Sequence, residues 1–143
     1  MQQDGNIVIL TGAGISAESG LDTFRDSGGL WERHRIEDVA TPEAFAHDPD
    51  LVLDFYDSRR KGAAAVRPNA AHEALARLDR EWRGGLLIVT QNVDDLHERG
   101  GAERVLHMHG ALATAWCTAC DARPRIERDL IERPACPACG ATG

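Results

Sequence analysis

The segment NIVILTGAGISA, residues 6–17, determines the fold that we expect. Residues 6–10 form an unbroken run dominated by β-branched and aliphatic side chains, which is typical of a strand buried on both faces of a parallel sheet. The turn Gly12-Ala13-Gly14 follows at once and precedes a helical stretch. Its first glycine permits a tight turn, and its second lets the backbone approach a pyrophosphate. The segment therefore favours nucleotide binding; the alternative is a plain strand-to-helix turn.

Alternating strand and helix patterns continue along the chain and extend this prediction. Strands are predicted at residues 86–90 and 105–109, and helices at residues 49–61, from the capping residue Asn69 onward, and at residues 94–99. In an open α/β sheet the ligand crevice lies beyond the carboxyl ends of the strands. We therefore expect an α/β fold with an incomplete Rossmann-like parallel sheet, whose binding residues directly follow its strands.

Polar side chains occupy the ends of the second and third predicted strands. Gln91, Asn92 and Asp94 follow the second strand, and His109 ends the third. An imidazole is the natural general base near neutral pH, which makes His109 the candidate base; a hydrogen-bonded core histidine is the alternative. Residues 28–32 do not resemble the second strand and terminal acidic residue that a standard dinucleotide-binding dehydrogenase requires, which argues against that class.

The cysteines form a second, separate pattern. All four lie in two CxxC pairs separated by 15 residues: Cys117, Cys120, Cys136 and Cys139. This spacing is typical of one structural Zn²⁺ held by four thiolates, a closed coordination shell that leaves no position for chemistry. A disulfide framework would require an oxidising compartment. The pattern therefore predicts a structural zinc site.

The change in composition near residue 115 sets the predicted domain boundaries. Residues 1–114 are expected to form the nucleotide-binding part, with a helical insertion near residues 41–82. Residues 115–143 are expected to form a small, truncated zinc-binding module.

Composition and charge restrict the function classes. The chain has 143 residues with 43% hydrophobic and 27% charged residues, which argues against disorder. Its 16 Lys and Arg against 23 Asp and Glu give a net charge of −7, which argues against direct nucleic-acid binding. The sequence contains no apolar run of membrane-spanning length and no secretory signal pattern. We expect a cytoplasmic protein without a membrane partner.

Taken together, these motifs resemble the sirtuins, which are NAD-dependent protein-lysine deacylases. Residues 12–16 resemble the family's GAGxS turn, residues 23–25 (TFR) its cofactor-loop motif, and residues 91–94 (QNVD) its QNxD motif. His109-Gly110 resembles the catalytic His-Gly pair, and the four cysteines match the family's structural zinc site. The resemblance implies that NAD is the cofactor and that acylated lysine side chains of proteins are the partners.

The resemblance also implies residue roles. In the family chemistry the acyl oxygen attacks the nicotinamide ribose, nicotinamide leaves, and the acyl group passes to ADP-ribose. His109 would be the general base on a ribose hydroxyl, Asn92 and Asp94 would position the nicotinamide end, and Phe24 would shield the reacting ribose. The implied cofactor contacts are Gly12, Ala13, Gly14, Ile15, Glu18, Phe24, Arg25, Trp31, Gln91, Asn92 and Asp94.

A Y-x-x-R pair in the predicted helix at residues 49–61 indicates an acyl preference. Tyr56 and Arg59 share a helix face, and a phenol beside a guanidinium is suited to binding a carboxylate. The pair resembles class III sirtuins, which remove succinyl, malonyl and glutaryl groups. The alternative is a solvated basic helix end that the helix dipole favours.

Two other functions stay open at this point. A zinc-ribbon binding module without catalysis would explain the cysteines but leaves the other motifs coincidental. Mono-ADP-ribosyl transfer would use the same NAD cleavage with another acceptor. Because the family pattern continues beyond the segments present here, we interpret the chain as the N-terminal part of a sirtuin catalytic domain and expect residues 1–143 alone to have impaired catalysis.

Overall fold

The computed structural model describes residues 5–21, 35–126 and 128–142. Contacts divide the chain into two compact units, one from residues 1–26 and 63–111 and the other from residues 27–62 and 112–143. In chain order, the elements are β1 (Ile7–Thr11), α1 (Gly14–Ala17), α2 (Ile36–Val39), α3 (Pro42–His47), α4 (Pro49–Ala65), α5 (Ala70–Glu81), β2 (Leu86–Thr90), α6 (Leu96–Arg99), β3 (Val105–His107) and a 3-10 turn (Leu130–Glu132).

The first unit is built on a three-stranded parallel sheet in the order β1-β2-β3. Thr11 pairs with Thr90, and Thr90 pairs with His107, so the three strands end side by side. β2 has its predicted bounds and β1 is displaced by one residue. The predicted α/β class with a parallel sheet is confirmed.

The third strand is shorter than predicted. β3 ends at His107 rather than at residue 109. The Met108 N–H still donates to the Thr90 carbonyl oxygen (3.0 Å), but the chain then turns, and Gly110 has a φ of 83°, which a glycine adopts without strain. The expectation that His109 ends the strand is therefore wrong: His109 lies in the turn that follows it.

One face of the sheet carries the core of the first unit. Ala76 of α5 packs with Leu86 and Ile88 of β2 and with Ala102, and all four are buried. Asn69 caps α5 as predicted, because its Oδ1 accepts the Ala71 N–H at 3.0 Å. The helix therefore docks its apolar side on the strands.

The opposite face of the sheet differs from the prediction. Val8 and Leu10 of β1 are 69% and 64% exposed, and Leu106 of β3 is 51% exposed. Side chains alternate between the two faces of a strand, and within the described part of the first unit only one face is covered by α5. The prediction that residues 6–10 are buried on both faces is therefore wrong.

The second unit contains α2, α3, most of α4 and the cysteine module. Thr41 caps α3 through the Ala44 N–H (3.1 Å), and Asp48 accepts the Leu51 N–H (3.0 Å) at the start of α4, as these residue types before proline predict. α4 continues four residues beyond the predicted end at residue 61 and reaches Ala65. The predicted domain boundary at residue 115 stays a prediction. Among the described residues, no helix combines the length and apolarity that a membrane crossing requires.

Asp79 joins the end of α5 to the segment before β3. Its buried carboxylate accepts the N–H groups of Glu103 (2.7 Å) and Arg104 (3.1 Å) and the Arg104 Nε (2.5 Å). Burial opposes ionisation, but these donors outweigh it and lower the pKa of Asp79. Its contribution to stability is therefore present above the unfolded-state pKa of about 4 and is lost as the pH falls through the folded-state pKa.

The variant Asp79→Asn should lower the free energy of unfolding by about 2–3 kcal/mol, because an amide nitrogen replaces one acceptor of a buried, charged contact. Chemical denaturation at pH 7 measures this difference. Glu81→Gln, an exposed change of the same charge at the end of α5, is the control and should shift stability by less than about 0.5 kcal/mol. Equal stability of the two variants would contradict the role given to Asp79.

Candidate active site

The glycine turn follows β1 as the sequence predicts. The Ile15 N–H donates to the Gly12 carbonyl oxygen and the Ser16 N–H to the Ala13 carbonyl oxygen, both at 3.1 Å. Gly14 is exposed, and a Cβ built there would meet no atom within 4 Å. The turn therefore presents open backbone beside the sheet edge, the environment that a close-approaching phosphate needs.

Asn92 connects this turn to the loop after β2. Its side-chain nitrogen donates to the Gly12 carbonyl oxygen and to Ser16 Oγ, both at 3.1 Å, which uses both amide hydrogens. Ser16 Oγ in turn donates to Asp94 Oδ2 at 3.1 Å, and Asp94 Oδ1 accepts the Leu96 N–H at 3.1 Å. Ser16, Asn92 and Asp94 are all buried. These bonds hold the two loops together as one surface.

His109 lies at the same edge, next to the loop after β2. Its Nδ1 is 3.1 Å from the Gln91 carbonyl oxygen. A carbonyl oxygen only accepts, so Nδ1 carries the hydrogen and Nε2 keeps the lone pair. His109 is exposed. The structure thus gives His109 the tautomer that a general base requires, with its basic nitrogen accessible to a ligand.

His107 has a different environment from His109. Its Nδ1 donates to the Asn92 carbonyl oxygen (2.9 Å), and its Nε2 lies 2.7 Å from the Glu98 carboxylate. The hydrogen bond with Glu98 raises the pKa of His107. Burial raises the pKa of Glu98, but this bond, a backbone hydrogen bond and the nearby His107 and His97 together outweigh it and lower that pKa. Both ring nitrogens of His107 therefore have hydrogen-bond partners within the protein, which leaves neither of them open to a ligand.

Two further histidines lie beneath the glycine turn. The Asn69 N–H donates to His72 Nδ1 (3.2 Å), and His97 Nε2 lies 2.9 Å from Thr11 Oγ1. The rings of His72 and His97 form an edge-to-face pair with centroids 5.0 Å apart. Burial lowers the pKa of both. These neutral side chains belong to the core of the first unit.

Some residues of this network were not singled out from the sequence. The sequence places Ser16 only within the turn motif, whereas in the structure Ser16 Oγ bonds both Asn92 and Asp94. Asn69 was expected to cap α5, but its side-chain nitrogen also donates to the Ile15 carbonyl oxygen (2.7 Å) and to Ser19 Oγ (3.0 Å). These contacts join positions 50 or more residues apart, so no local spacing predicts them. The polar type of each residue is the only signal that the sequence offers for them.

The remaining predicted contacts are distributed as follows. Gln91 is exposed, and its N–H donates to the Thr11 carbonyl oxygen (3.0 Å). Glu18 is exposed at the C-terminal end of α1. Phe24, Arg25 and Trp31 lie outside the described residues.

Tyr56 and Arg59 lie on α4 in the second unit, one helical turn apart and half-buried. The Tyr56 ring meets the Phe55 ring edge to face with centroids 5.3 Å apart, and the Arg59 guanidinium carbon is 5.9 Å from the centroid of Phe55. Phe55 is buried, so one aromatic anchor supports both side chains.

The four cysteines of the second unit form one cluster. Their sulfur atoms lie within 4.8 Å of one another, with Cys117 and Cys139 at 3.7 Å and Cys120 and Cys136 at 3.9 Å. A tetrahedral site with Zn–S bonds of about 2.3 Å places its sulfurs about 3.8 Å apart. The cluster therefore fits a four-thiolate zinc site.

The backbone of the two CxxC turns supports this fit. The Cys117 N–H donates to the Ala122 carbonyl oxygen (2.9 Å), and the Cys136 N–H donates to the Ala141 carbonyl oxygen (2.8 Å). The N–H groups of Ala138 and Cys139 lower the pKa of Cys136 to about 7, which favours the thiolate that zinc binds. In both turns the N–H of the first cysteine binds the carbonyl oxygen five residues later, so the two turns share one hydrogen-bond pattern.

Similar sequences and structures among known proteins identify the family of this chain. Residues 12–142 match the Sir2 family. The chain belongs to the Sir2 family. An NAD-dependent protein deacylase of Bdellovibrio bacteriovorus is 56% identical over 140 residues, which are 96% of this chain and 60% of that relative. The resemblance to sirtuins is confirmed.

Solved Sir2 structures share the fold. A mutant Sir2 homologue in complex with ADP ribose superposes with a TM-score of 0.84 at 42% identity, covering 98% of this chain and 56% of the other. A Sir2 homologue–NAD complex gives a TM-score of 0.83 at 44% identity, covering 98% and 55%. The predicted Rossmann-like architecture is therefore confirmed, and this Sir2-family chain spans somewhat more than half the length of these relatives.

Metal analysis tests the zinc site of this Sir2-family chain. The purified protein should carry about one zinc per chain after gel filtration, and Cys136→Ser should lose it, because three thiolates no longer close the coordination shell. Asp121→Asn is the control: it changes a charge beside the cluster but keeps a residue type that tolerates the φ of 59° at this position. Full zinc retention in Cys136→Ser would contradict the four-thiolate site.

Proposed function

We propose that this chain takes part in NAD-dependent removal of acyl groups from protein lysine side chains, with transfer of the acyl group to ADP-ribose. The observation that carries the proposal is the hydrogen bond from His109 Nδ1 to the Gln91 carbonyl oxygen, at the edge where Asn92 binds the glycine turn. This hydrogen bond leaves His109 Nε2 able to accept a proton, beside a surface that is suited to binding a dinucleotide. The relatives named above, which are NAD-dependent protein deacylases or Sir2 proteins with NAD or ADP ribose, add to that support.

The glycine turn is proposed to bind the phosphate groups of NAD. Gly12, Ala13, Gly14 and Ile15 would supply backbone, and the open space beside Gly14 is compatible with close approach of a ligand. NAD supplies the ribose carbon that the acyl oxygen attacks and the ADP-ribose that carries the acyl group away. Glu18, Phe24, Arg25 and Trp31 are proposed as further cofactor contacts.

The loop after β2 is proposed to position the nicotinamide end. Asn92 and Asp94 are fixed by Ser16 and by the Leu96 N–H, so their orientation is set before any ligand binds. Such preorganisation avoids a cost of ordering side chains during the reaction. Gln91, the first residue of this loop, presents its carbonyl oxygen to the imidazole of His109.

His109 is proposed to be the general base. Its accessible Nε2 would accept the proton of a ribose hydroxyl while Nδ1 donates to Gln91, so that the imidazolium remains oriented by a carbonyl oxygen. His107 is not a second base in this scheme, because Glu98 holds its Nε2.

The variant His109→Ala should lower NAD-dependent deacylation by the intact protein by about 100-fold or more, the usual contribution of a general base. Mass spectrometry of an acylated lysine peptide measures both the freed lysine and acyl-ADP-ribose. His47→Ala, which removes an exposed histidine at the end of α3, is the control and should retain activity.

Other outcomes of this assay are informative. Equal activity of the protein with and without NAD would refute the proposal. A peptide or protein that gains ADP-ribose instead of losing its acyl group would indicate mono-ADP-ribosyl transfer. Zinc binding without NAD affinity in the intact protein would indicate a zinc-ribbon binding module. Impaired catalysis by residues 1–143 alone stays a prediction.

The acyl preference is a finer part of the proposal. Tyr56 and Arg59 are proposed to bind the carboxylate of a succinyl-type acyl group, because a phenol and a guanidinium one helical turn apart offer matched donors. The buried Phe55 ring that contacts both side chains supports a defined orientation.

Replacing Arg59 with Met should raise the KM for a succinyl-lysine peptide by about 10-fold, because a charge-assisted hydrogen bond is lost, and should leave deacetylation nearly unchanged. Arg77→Met, which removes an exposed arginine from α5, is the control for the loss of one charge on a helix surface. A parallel loss of both activities in Arg59→Met would refute the carboxylate role.

A further inference from the structure

Asp57 is a buried carboxylate on α4 that the chemistry above does not use. It is 1% exposed. Its Oδ1 accepts the Leu130 N–H at 3.0 Å, and its Oδ2 accepts the Ile131 N–H at 2.9 Å. Both donors belong to the 3-10 turn between the two CxxC pairs. One carboxylate therefore binds both available N–H groups of a turn that lies 73 and 74 residues away in sequence.

Arg60 strengthens this contact from the same side of the helix. Its Nη1 is 2.5 Å from Asp57 Oδ1, and its Nε donates to the Leu112 carbonyl oxygen at 2.9 Å. The N–H groups of Ile131 and Leu130 and the Arg60 guanidinium outweigh the effect of burial and lower the pKa of Asp57. The carboxylate is therefore charged and fully engaged at neutral pH.

Two ion pairs join the same helix and segment. Lys61 Nζ lies 2.5 Å from Asp129 Oδ2, and Arg133 pairs with Asp50. The segment from Asp129 to Arg133 thus contacts α4 near its start and near residues 57–61. Exposed pairs of this kind add little free energy by themselves, so the buried Asp57 contact is the one that determines the alignment.

The contact fixes the rotation of α4 about its axis. With 3.6 residues per turn, Asp57, Arg60 and Lys61 lie on one stripe of the helix, and Tyr56 and Arg59 lie roughly 120° around the axis from it. A helix held on one stripe by two backbone N–H groups cannot rotate without breaking those bonds. The two hydrogen bonds to Asp57 therefore fix the direction in which Tyr56 and Arg59 project.

We propose that Asp57 is a positioning residue that aligns α4 on the four-cysteine module and thereby orients Tyr56 and Arg59 toward an acyl carboxylate. The inference rests on the proposed carboxylate-binding role of that pair. Leu130 and Ile131 lie five or six residues before Cys136, so order in the cysteine cluster supports the turn that Asp57 binds. Acyl selectivity then depends on a residue that does not touch the acyl group.

The test compares Asp57→Asn with Asp54→Asn in the intact protein. Both changes remove one negative charge from α4, but Asp54 is exposed. In Asp57→Asn an amide NH₂ replaces one acceptor oxygen and faces a donor. Hydrogen exchange at the Leu130 and Ile131 amides should become roughly 10-fold faster, and zinc should pass to a chelator faster than in Asp54→Asn.

Kinetics provide the readout that a purely structural role would not give. Asp57→Asn should raise the KM for a succinyl-lysine peptide by roughly 10-fold and change kcat and KM for an acetyl-lysine peptide by less than about twofold. Unchanged exchange at Leu130 and Ile131 overturns the proposal. An equal loss of activity toward the succinyl-lysine and acetyl-lysine peptides also overturns the proposal, because it would show that Asp57 is needed only for stability.

A milder variant keeps the proposal testable if Asp57→Asn does not fold. Arg60→Lys keeps a positive charge beside Asp57 but removes the Nε donor to the Leu112 carbonyl oxygen. It should raise the succinyl KM by roughly two- to threefold with the acetyl KM unchanged, and no change in either KM overturns the proposal.

The outcome for Arg59→Met separates this inference from the proposed function. Equal effects of Arg59→Met on both acyl groups refute the carboxylate site itself. A selective effect of Arg59→Met together with none in Asp57→Asn refutes only the positioning role.

Discussion

The parallel pairing of β1, β2 and β3 is the constraint on which the site depends. It ends three strands side by side, so that the glycine turn, residues 91–94 and His109 follow from one edge. The buried side chains there would each lose hydration without a partner in the folded state. Asn92 meets this requirement by donating to the Gly12 carbonyl oxygen and to Ser16 Oγ. The bonds that make burial tolerable are therefore the same bonds that align the loops.

The two histidines at the end of β3 and in the turn that follows it show how a partner determines a role. His107 and His109 are two residues apart, yet one Nε2 faces the Glu98 carboxylate and the other has an accessible lone pair. Both Nδ1 atoms donate to carbonyl oxygens of the loop after β2, at Asn92 and Gln91. The backbone thus places a hydrogen on Nδ1 of both rings, and the partner of Nε2 separates an imidazole bound to a carboxylate from a candidate base.

Local features were predictable from the sequence because local energies determine them. The strand at residues 86–90, the caps at Thr41 and Asn69 and the CxxC turns depend on side-chain patterns within a few residues. The end of β3 at His107 and the exposure of Val8 depend on which residues are opposite them in the folded chain. Continuous apolar runs look alike whether one or both faces are covered, which is why periodicity could not detect the open face.

The cysteine module shows how a local requirement extends to a distant helix. Asp121 and Gly140, each directly after a CxxC pair, both have positive φ, so each turn forms from its own sequence. Bringing the turns together places four sulfurs within 4.8 Å of one another, and four thiolates this close repel one another without a cation between them. A bound cation removes that repulsion and fixes the ends of the segment between the pairs. Asp57 binds two N–H groups within that segment. A cation that orders the segment by binding the four sulfurs therefore also constrains α4.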